Sequence, residues 1–316
     1  MTQLSERIRK VRQFKREIYQ EYGFYYYVPM AEAYTVQVPV TVSCSYGKCL
    51  YCDLNQGMTF RELSLKEIEA NIEKLRYIND KPSKRFLLAG GNPFVLSAEK
   101  LLRISEMIHA HFPECEYISA FSRADDITRK SPDDLRMLHE AGYDRLCIGI
   151  ESGCDDVLKF HEKGVTRSQN LEAMKMLDDA GIKYSTYIML GLGGRSMSEA
   201  HVKDTASLLN NANPFELTVV TLVLFKGARL IEKVRSHEFL RMSPFDALKE
   251  ERELLSLLTI NTVFNATHKT NLFPIKGRIP EHKNILIKKI DNAVNEISEA
   301  GLKQYELKRW HKWGIE

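Results

Sequence analysis

TVSCSYGKCLYCDL, residues 41–54, decides how the rest of this chain reads. Three of the six cysteines, Cys44, Cys49 and Cys52, fall inside it with the spacing C-x-x-x-x-C-x-x-C. Thiolates are soft ligands, and three on one short loop can grip a metal or an iron–sulfur cluster from one side. A structural zinc site wants a fourth Cys or His. No second C-x-x-C pair follows, and the nearest downstream histidines, His109 and His111, fall in an expected helix. The loop therefore points to a [4Fe–4S] cluster with one iron left open. A zinc knuckle with a remote ligand, or three incidental small hydrophobes, are the alternatives.

Upstream, the strand-like run 34–44 leads straight into this loop. Before it come the aromatic run FYYYVPM, residues 24–30, and a charged amphipathic helix over 5–22. The aromatic run can line a pocket, although such runs more often pack at the edge of a fold.

Downstream, strands and helices alternate. Ser64 and Glu67 form a capping box that starts a helix, with Ile68, Ile72 and Leu75 at helical spacing. Strands are expected at 85–94, 117–122, 145–152, 184–194 and 215–225, and helices at 97–112, 131–142, 168–181 and 197–212. Gly142 and Gly181 stand where helices end in a glycine cap. Six alternations imply parallel strands with right-handed crossovers, as an incomplete β/α barrel or a doubly wound sheet. In either, ligands bind beyond the carboxyl ends of the strands. The informative residues sit there: the Cys loop, Gly90-Gly91-Asn92-Pro93, Ser122-Arg123, Glu151-Ser152-Gly153, and residues 191–194. Residues 236–316 read as an α-rich extension closing one side, with helices at 245–258 and 282–297 and a strand-and-loop stretch at 260–280. This divides the chain into a leading segment 1–33, a β/α unit 34–235 and the extension. Trp310 and Trp313, in the tail, are expected to pack.

The chain has 316 residues, 44% hydrophobic and 28% charged, the profile of a soluble globular protein. Net charge is +3, with basic and acidic residues interspersed, which argues against a nucleic-acid partner. No apolar run is long enough to span a bilayer. The charged N-terminus does not read as a secretory signal, so a cytoplasmic location with reduced thiols is expected.

These residues resemble the radical S-adenosylmethionine (SAM) superfamily, whose usual loop is C-x-x-x-C-x-x-C; this chain has one residue more. CSYGKCLYC is similar to a variant branch. AGGNPF (89–94), IGIESGCDDVLKFHEKG (148–164) and IMLGLGG (188–194) resemble motifs of the group containing the oxygen-independent coproporphyrinogen oxidases and methylthiotransferases. The resemblance covers about 34–230 and implies a partial (β/α)6 barrel with a helical N-terminal segment and a C-terminal extension. It implies that Cys44, Cys49 and Cys52 hold a [4Fe–4S] cluster whose fourth iron chelates SAM. Tyr51 would lie near the adenine, Gly90 and Gly91 would let backbone approach the ligand, and Asn92 and Pro93 complete that motif, with little expected of the Asn92 side chain. Glu151 would reach the ribose or amino group, and Lys163 the carboxylate. Ser122 and Arg123 would contact SAM or substrate, and Met189 and Leu190 would pack on the adenine. Each also has a plain structural reading: loop packing for Tyr51, core for Met189 and Leu190, a solvated side chain for Lys163.

The expected activity is reductive SAM cleavage to a 5′-deoxyadenosyl radical, with one electron from a flavodoxin- or ferredoxin-type donor. The radical would take hydrogen from a small or medium-sized substrate, not a nucleic acid and not at a membrane. Candidate substrate-facing residues are Tyr25 to Tyr27, Arg123, Thr221, Lys226 and His268, under a pocket wall at 262–277. The rivals are a non-catalytic iron–sulfur or haem carrier on the same scaffold and a zinc-stabilised binding module.

Overall fold

Short buried apolar runs, each followed by a capped amphipathic helix, build the molecule. The computed structural model describes residues 3–29, 32–54, 57–79 and 82–296; the tail with Trp310 and Trp313 lies outside them. In chain order the strands are β1 Val36–Pro39, β2 Thr41–Val42, β3 Arg61–Glu62, β4 Arg85–Ala89, β5 Tyr117–Ser122, β6 Leu146–Glu151, β7 Tyr184–Leu190, β8 Glu216–Thr221, β9 Thr262–Asn265 and β10 Lys276–Ile279. The helices are α1 Gln3–Tyr22, α2 Leu65–Ile78, α3 Ala98–His111, α4 Ala124–Thr128, α5 Pro132–Glu140, α6 Asp155–Phe160, α7 Arg167–Ala180, α8 Gly194–Leu209, α9 Leu230–Arg235, α10 Pro244–Leu257 and α11 Lys283–Glu296.

Helix starts follow side-chain chemistry. Ser64, Ser131, Thr166 and Ser243 each accept the N–H three residues on, and Glu67, Asp134, Gln169 and Asp246 return the bond. Gly181 ends α7 in the left-handed conformation at φ 74°.

Eight strands form one sheet in the order β1-β4-β5-β6-β7-β8-β9-β10. Every neighbouring pair is parallel except β9 and β10. The sheet does not close: β1 and β10 are its edges. This is the partial β/α architecture expected, with one addition. The stretch read as strand and loop in the extension supplies β9 and β10, which widen the sheet beside β8, and α10 packs on α8 and α11.

Alternation along the strands separates the two faces. Phe86, Leu88, Ile118, Ala120, Ile148, Ile150, Ile188, Leu217 and Val219 fill the helix-covered core and are fully buried. The opposite face carries Ser119, Phe121, Cys147, Gly149, Ser185, Tyr187, Glu216 and Thr218, in register across β5 to β8. A parallel sheet usually buries aliphatics on both sides. A polar and aromatic inner face marks where this one leaves room for a ligand.

Candidate functional site

The Cys loop leaves the inner face through the small β2–β3 ribbon, where Thr41 pairs with Glu62 and Val42 with Arg61. Ser43 follows at φ 63°, a left-handed turn that a non-glycine residue adopts only under constraint. Apolar residues pin the loop's second half: Leu50 and Tyr51 are buried with Val157, Leu192, Leu224, Leu230 and Phe239. The Leu50 N–H donates to His161 O at 3.0 Å, and its carbonyl accepts from Leu230 N–H at 2.9 Å. The Cys52 N–H donates to Cys49 O at 3.2 Å, folding these two cysteines into one turn. None of the three loop cysteines is in a disulfide, and all are partly exposed. Burial pushes the Cys52 thiol up to about 12, and the neighbouring Cys49 and Cys44 add to this, so only a nearby positive charge would hold it as thiolate.

The glycine motif after β4 is shaped by this loop. The Gly91 N–H donates to Ser43 O at 3.0 Å. A Cβ on Gly91 would stand 2.5 Å from Ser43 O and 2.6 Å from Cys44 Cα, and one on Gly90 would meet the Thr41 side chain. Here the close backbone approach is to the Cys loop itself. Pro93, buried, opens a single 3-10 turn. Asn92 is buried and fully engaged: it accepts from Ser45 N–H at 2.9 Å and donates to Ser45 Oγ and Asp126 Oδ2, both at 2.8 Å. It ties the Cys loop to the start of α4. Its side chain, expected to matter little, is a strut.

Arg123 lies against the same loop. Its guanidinium stands 3.9 Å over the Tyr46 ring and donates to Asp125 Oδ1 and Lys163 O, both at 2.9 Å. Burial works against its charge, but Asp125, Cys49, Asp126 and Cys44 outweigh it and hold the group above the ordinary guanidinium range. Ser122 Oγ donates to the Arg123 carbonyl at 2.9 Å, so its hydroxyl is spent within the loop.

The β6 end is strained. Glu151 sits at φ 65°, just past a register shift between β6 and β7. That turn aims the carboxylate back over Gly149, where it meets Lys163 Nζ at 3.3 Å; the side chains are 12% and 6% exposed. A Cβ on Gly149 would stand 2.6 Å from Glu151 Oε1. The turn is held from behind: Ser152 Oγ bonds His201 Nδ1 at 2.7 Å, and the Gly153 N–H donates to Thr205 Oγ1 at 2.8 Å.

The structure thus brings together Cys44, Cys49, Cys52, Tyr51, Arg123, Glu151 and Lys163. Tyr51 is buried edge-on to His161, ring centroids 5.7 Å apart. Its phenol is pushed up by burial, then by Glu151 and Cys49. Met189 shares the inner face with Tyr187. Leu190, by strand alternation, points to the helix-covered core and is 1% exposed. Farther along the inner face, Tyr27 Oη and His268 Nε2 meet at 3.1 Å. Thr221 is spent on Thr270 and Asn271.

Residues that sequence reasoning missed are Tyr46, Asp126, Gly149, Tyr187 and Glu216, whereas Asn265 lies in the expected pocket wall at 262–277. A signal existed for two: Tyr46 lies inside the Cys loop, and Glu216 is an acid at the head of an apolar strand. Among the described residues no three His, Cys, Asp or Glu side chains converge where one metal ion would bind them together. A cubane cluster takes each thiolate on a different iron and needs no such point.

Comparisons with known proteins bear on the fold and the family. An uncharacterized protein of Methanocaldococcus jannaschii is 24% identical over 233 residues, covering 70% of this chain and 71% of that one. The 4'-phospho-dehydrooxetanocin synthase of Priestia megaterium is 28% identical over 44% of this chain, and the heme chaperone HemW of Bacillus subtilis 25% over 60%. The chain spans only 21% and 52% of these last two. Among solved structures, coproporphyrinogen III oxidase of Escherichia coli superposes with a TM-score of 0.55 at 16% identity, covering 71% of this chain and 52% of that one. The methyltransferase TsrM of Kitasatospora setae, solved with cobalamin and a [4Fe–4S] cluster, scores 0.52 at 15% identity, covering 64% and 37%. The family model for the radical SAM superfamily matches residues 38–208, more than half of the sequence. The chain therefore belongs to the radical SAM superfamily, whose proteins bind a [4Fe–4S] cluster and SAM.

Proposed function

We propose that this protein is a radical SAM enzyme acting on a small or medium-sized substrate held against the inner face of the sheet. One observation carries the reading: a three-cysteine loop, a buried arginine and the Glu151–Lys163 pair meet at the strand ends, above an inner face that is polar and aromatic. Cys44, Cys49 and Cys52 would hold the cluster; none is in a disulfide, they lie on one loop and they offer the soft donors it needs. The bound cofactors would supply reductive cleavage of SAM to a 5′-deoxyadenosyl radical that takes a hydrogen atom from the substrate.

The chain's own residues bind, orient and shield. Glu151 can accept from ribose hydroxyls or the ammonium of SAM, and Lys163 can pair with its carboxylate. Gly149 leaves the space above them open. Met189 offers an apolar contact for the adenine, and Tyr51 braces the loop that carries the cluster ligands. Arg123, buried beside Cys44 and Cys49, offsets thiolate charge. Leu50, Leu192 and Phe239 keep water from the back of the Cys loop. The electron would come from a flavodoxin- or ferredoxin-type donor in the cytoplasm.

A net charge of +3 favours a small substrate over a polyanion. The tRNA uridine(34) acetyltransferase of Methanocaldococcus jannaschii is also similar, at 21% identity over 62% of this chain. That relative points toward RNA, whereas the low net charge expects only weak binding of bulk RNA at physiological salt; tight binding would overturn the small-substrate reading. A second reading, a carrier of an iron–sulfur group or haem, has the heme chaperone relative in its favour. One assay separates them. Anaerobically reconstituted protein given SAM and dithionite should release 5′-deoxyadenosine; a SAM-binding protein that releases none is a carrier.

A further inference from the structure

Beyond the proposed SAM site, the inner face holds a small pocket walled by Tyr27, Tyr187, Glu216, Thr218, Asn265 and His268, partly open to solvent, with room inside for one group the size of a water molecule or an ammonium. One side is aromatic. The Tyr27 and Phe121 rings lie 5.9 Å apart, and Phe121 and Tyr187 6.2 Å apart. Burial keeps the phenols of Tyr27 and Tyr187 above their usual range, so both stay neutral.

The other side carries one carboxylate, Glu216, itself 7% exposed. Its Oε1 accepts from Asn265 Nδ2 at 2.9 Å and Thr218 Oγ1 at 3.3 Å. Both donors are neutral, so they orient the group without cancelling its charge. Its Oε2 has Lys276 Nζ at 3.5 Å, on a lysine side chain 51% exposed. A solvent-facing partner at that distance offsets little. A second acid, Glu32, stands within electrostatic reach of Glu216, with Arg145 and Arg85 balancing it. The cations at the strand ends, Arg123 and Lys163, are turned to Asp125 and Glu151. An anionic oxygen fixed beside π faces is a setting that attracts a positive group.

The pocket also adjoins the proposed cofactor residues. Tyr187 pairs with Gly149 in the β6–β7 register. A Cβ on Gly149 would stand 2.6 Å from Glu151 Oε1 and 3.2 Å from Lys163 Nζ. One residue without a side chain is all that separates the aromatic wall from that pair.

We propose that this pocket selects an amine, its ammonium group held between Glu216 and the faces of Tyr27 and Tyr187, and its carbon skeleton running toward Gly149. What happens to such a substrate rests on the enzyme reading above; what binds rests on the pocket alone.

Calorimetry on the reconstituted holoprotein with SAM tests it, using three probes of matched size: 2-phenylethylamine, 2-phenylethanol and 3-phenylpropionate. The amine should bind roughly ten-fold more tightly than the alcohol, the ratio expected of one charge-assisted contact with π support. The carboxylate should bind more weakly than either. Glu216→Gln, near-isosteric, should erase the preference for the amine over the alcohol, and Tyr187→Leu should reduce it. Equal binding of amine and alcohol, preference for the carboxylate, a preference that survives Glu216→Gln, or no binding of any probe at about 10 mM, a range that detects even millimolar affinity, would each overturn the assignment. Release of 5′-deoxyadenosine by the same wild-type preparation is scored separately. Amine selectivity without it leaves the pocket standing and removes the enzyme reading.

Discussion

Gly91→Ala is the sharpest perturbation of the Cys loop. The added methyl carbon would stand 2.5 Å from Ser43 O, 2.6 Å from Cys44 Cα and 2.7 Å from Cys44 Cβ. Two of those atoms are backbone, so no side-chain rotation relieves the contact. Either the loop lifts away from β4 or the β4 end withdraws, and the Gly91 N–H to Ser43 O bond stretches in both cases. Overpacking of this kind costs about 1–3 kcal/mol, and loss of the hydrogen bond adds about 1 kcal/mol. The expected loss of unfolding free energy is therefore about 2–4 kcal/mol. Gly57→Ala is the control: unlike Gly91 it has a left-handed φ, 71°, but nothing lies within 4 Å of the new carbon. It should lose only about 1–2 kcal/mol, the cost of the backbone conformation. Urea denaturation of both variants supplies the stabilities, and iron per chain after anaerobic reconstitution reports on the ligands. Gly91→Ala should lose most of its iron while Gly57→Ala keeps it. Gly91→Ala with wild-type stability and full iron would refute the view that this glycine exists to seat the Cys loop.

Glu151→Gln should weaken SAM binding by about 1–3 kcal/mol in equilibrium dialysis, the usual loss when a buried charged partner is removed; unchanged affinity would remove the residue from the site. Asn92→Ala strips the strut between Ser45 and Asp126 and should lower stability by about 1–3 kcal/mol, whereas a change within a few tenths would show the strut to be idle. Burial raises Glu250 to about 7 and Glu251 to about 8. A carboxyl raised on folding favours the native state most below its unfolded value near 4.5, and that advantage is lost as pH rises through the folded value. Wild-type stability should therefore fall between about pH 5 and pH 9 relative to Glu251→Gln, by on the order of 4–5 kcal/mol. Parallel urea curves for the two proteins across that range would contradict the assignment.

Much of the fold is local in origin, and the sequence carries local information well. Ser64 and Ser131 announce their helices because a cap acts over three residues, and Gly181 announces an end because only a left-handed residue fits there; α7, expected from 168, begins at Arg167 behind the Thr166 cap. The short helices α4 and α6 have five and six residues, too few for a period to register. The Cys loop was legible because its three cysteines fall within nine residues of one another. Glu151 was legible as an acid at a strand end, but its left-handed conformation comes from His201 and Thr205, some fifty residues on. Asn92 looked dispensable because its partner Asp126 is distant in the chain. Leu190 was paired with Met189 as a candidate contact, and strand alternation sends the two to opposite faces. Tyr27 and His268 were each singled out, but their meeting across 241 residues depends on β9 joining the sheet edge, which no motif signals.

The most direct test of the central claim is electron paramagnetic resonance of the reconstituted protein after dithionite reduction, recorded with and without SAM. The wild-type protein should give the signal of a reduced [4Fe–4S] cluster and a change in that signal when SAM is added, because one iron is open to it, and the Cys44→Ala/Cys49→Ala/Cys52→Ala variant should give no such signal. Stoichiometric zinc with no reducible signal, or a cluster signal that persists without these three cysteines, would contradict that claim.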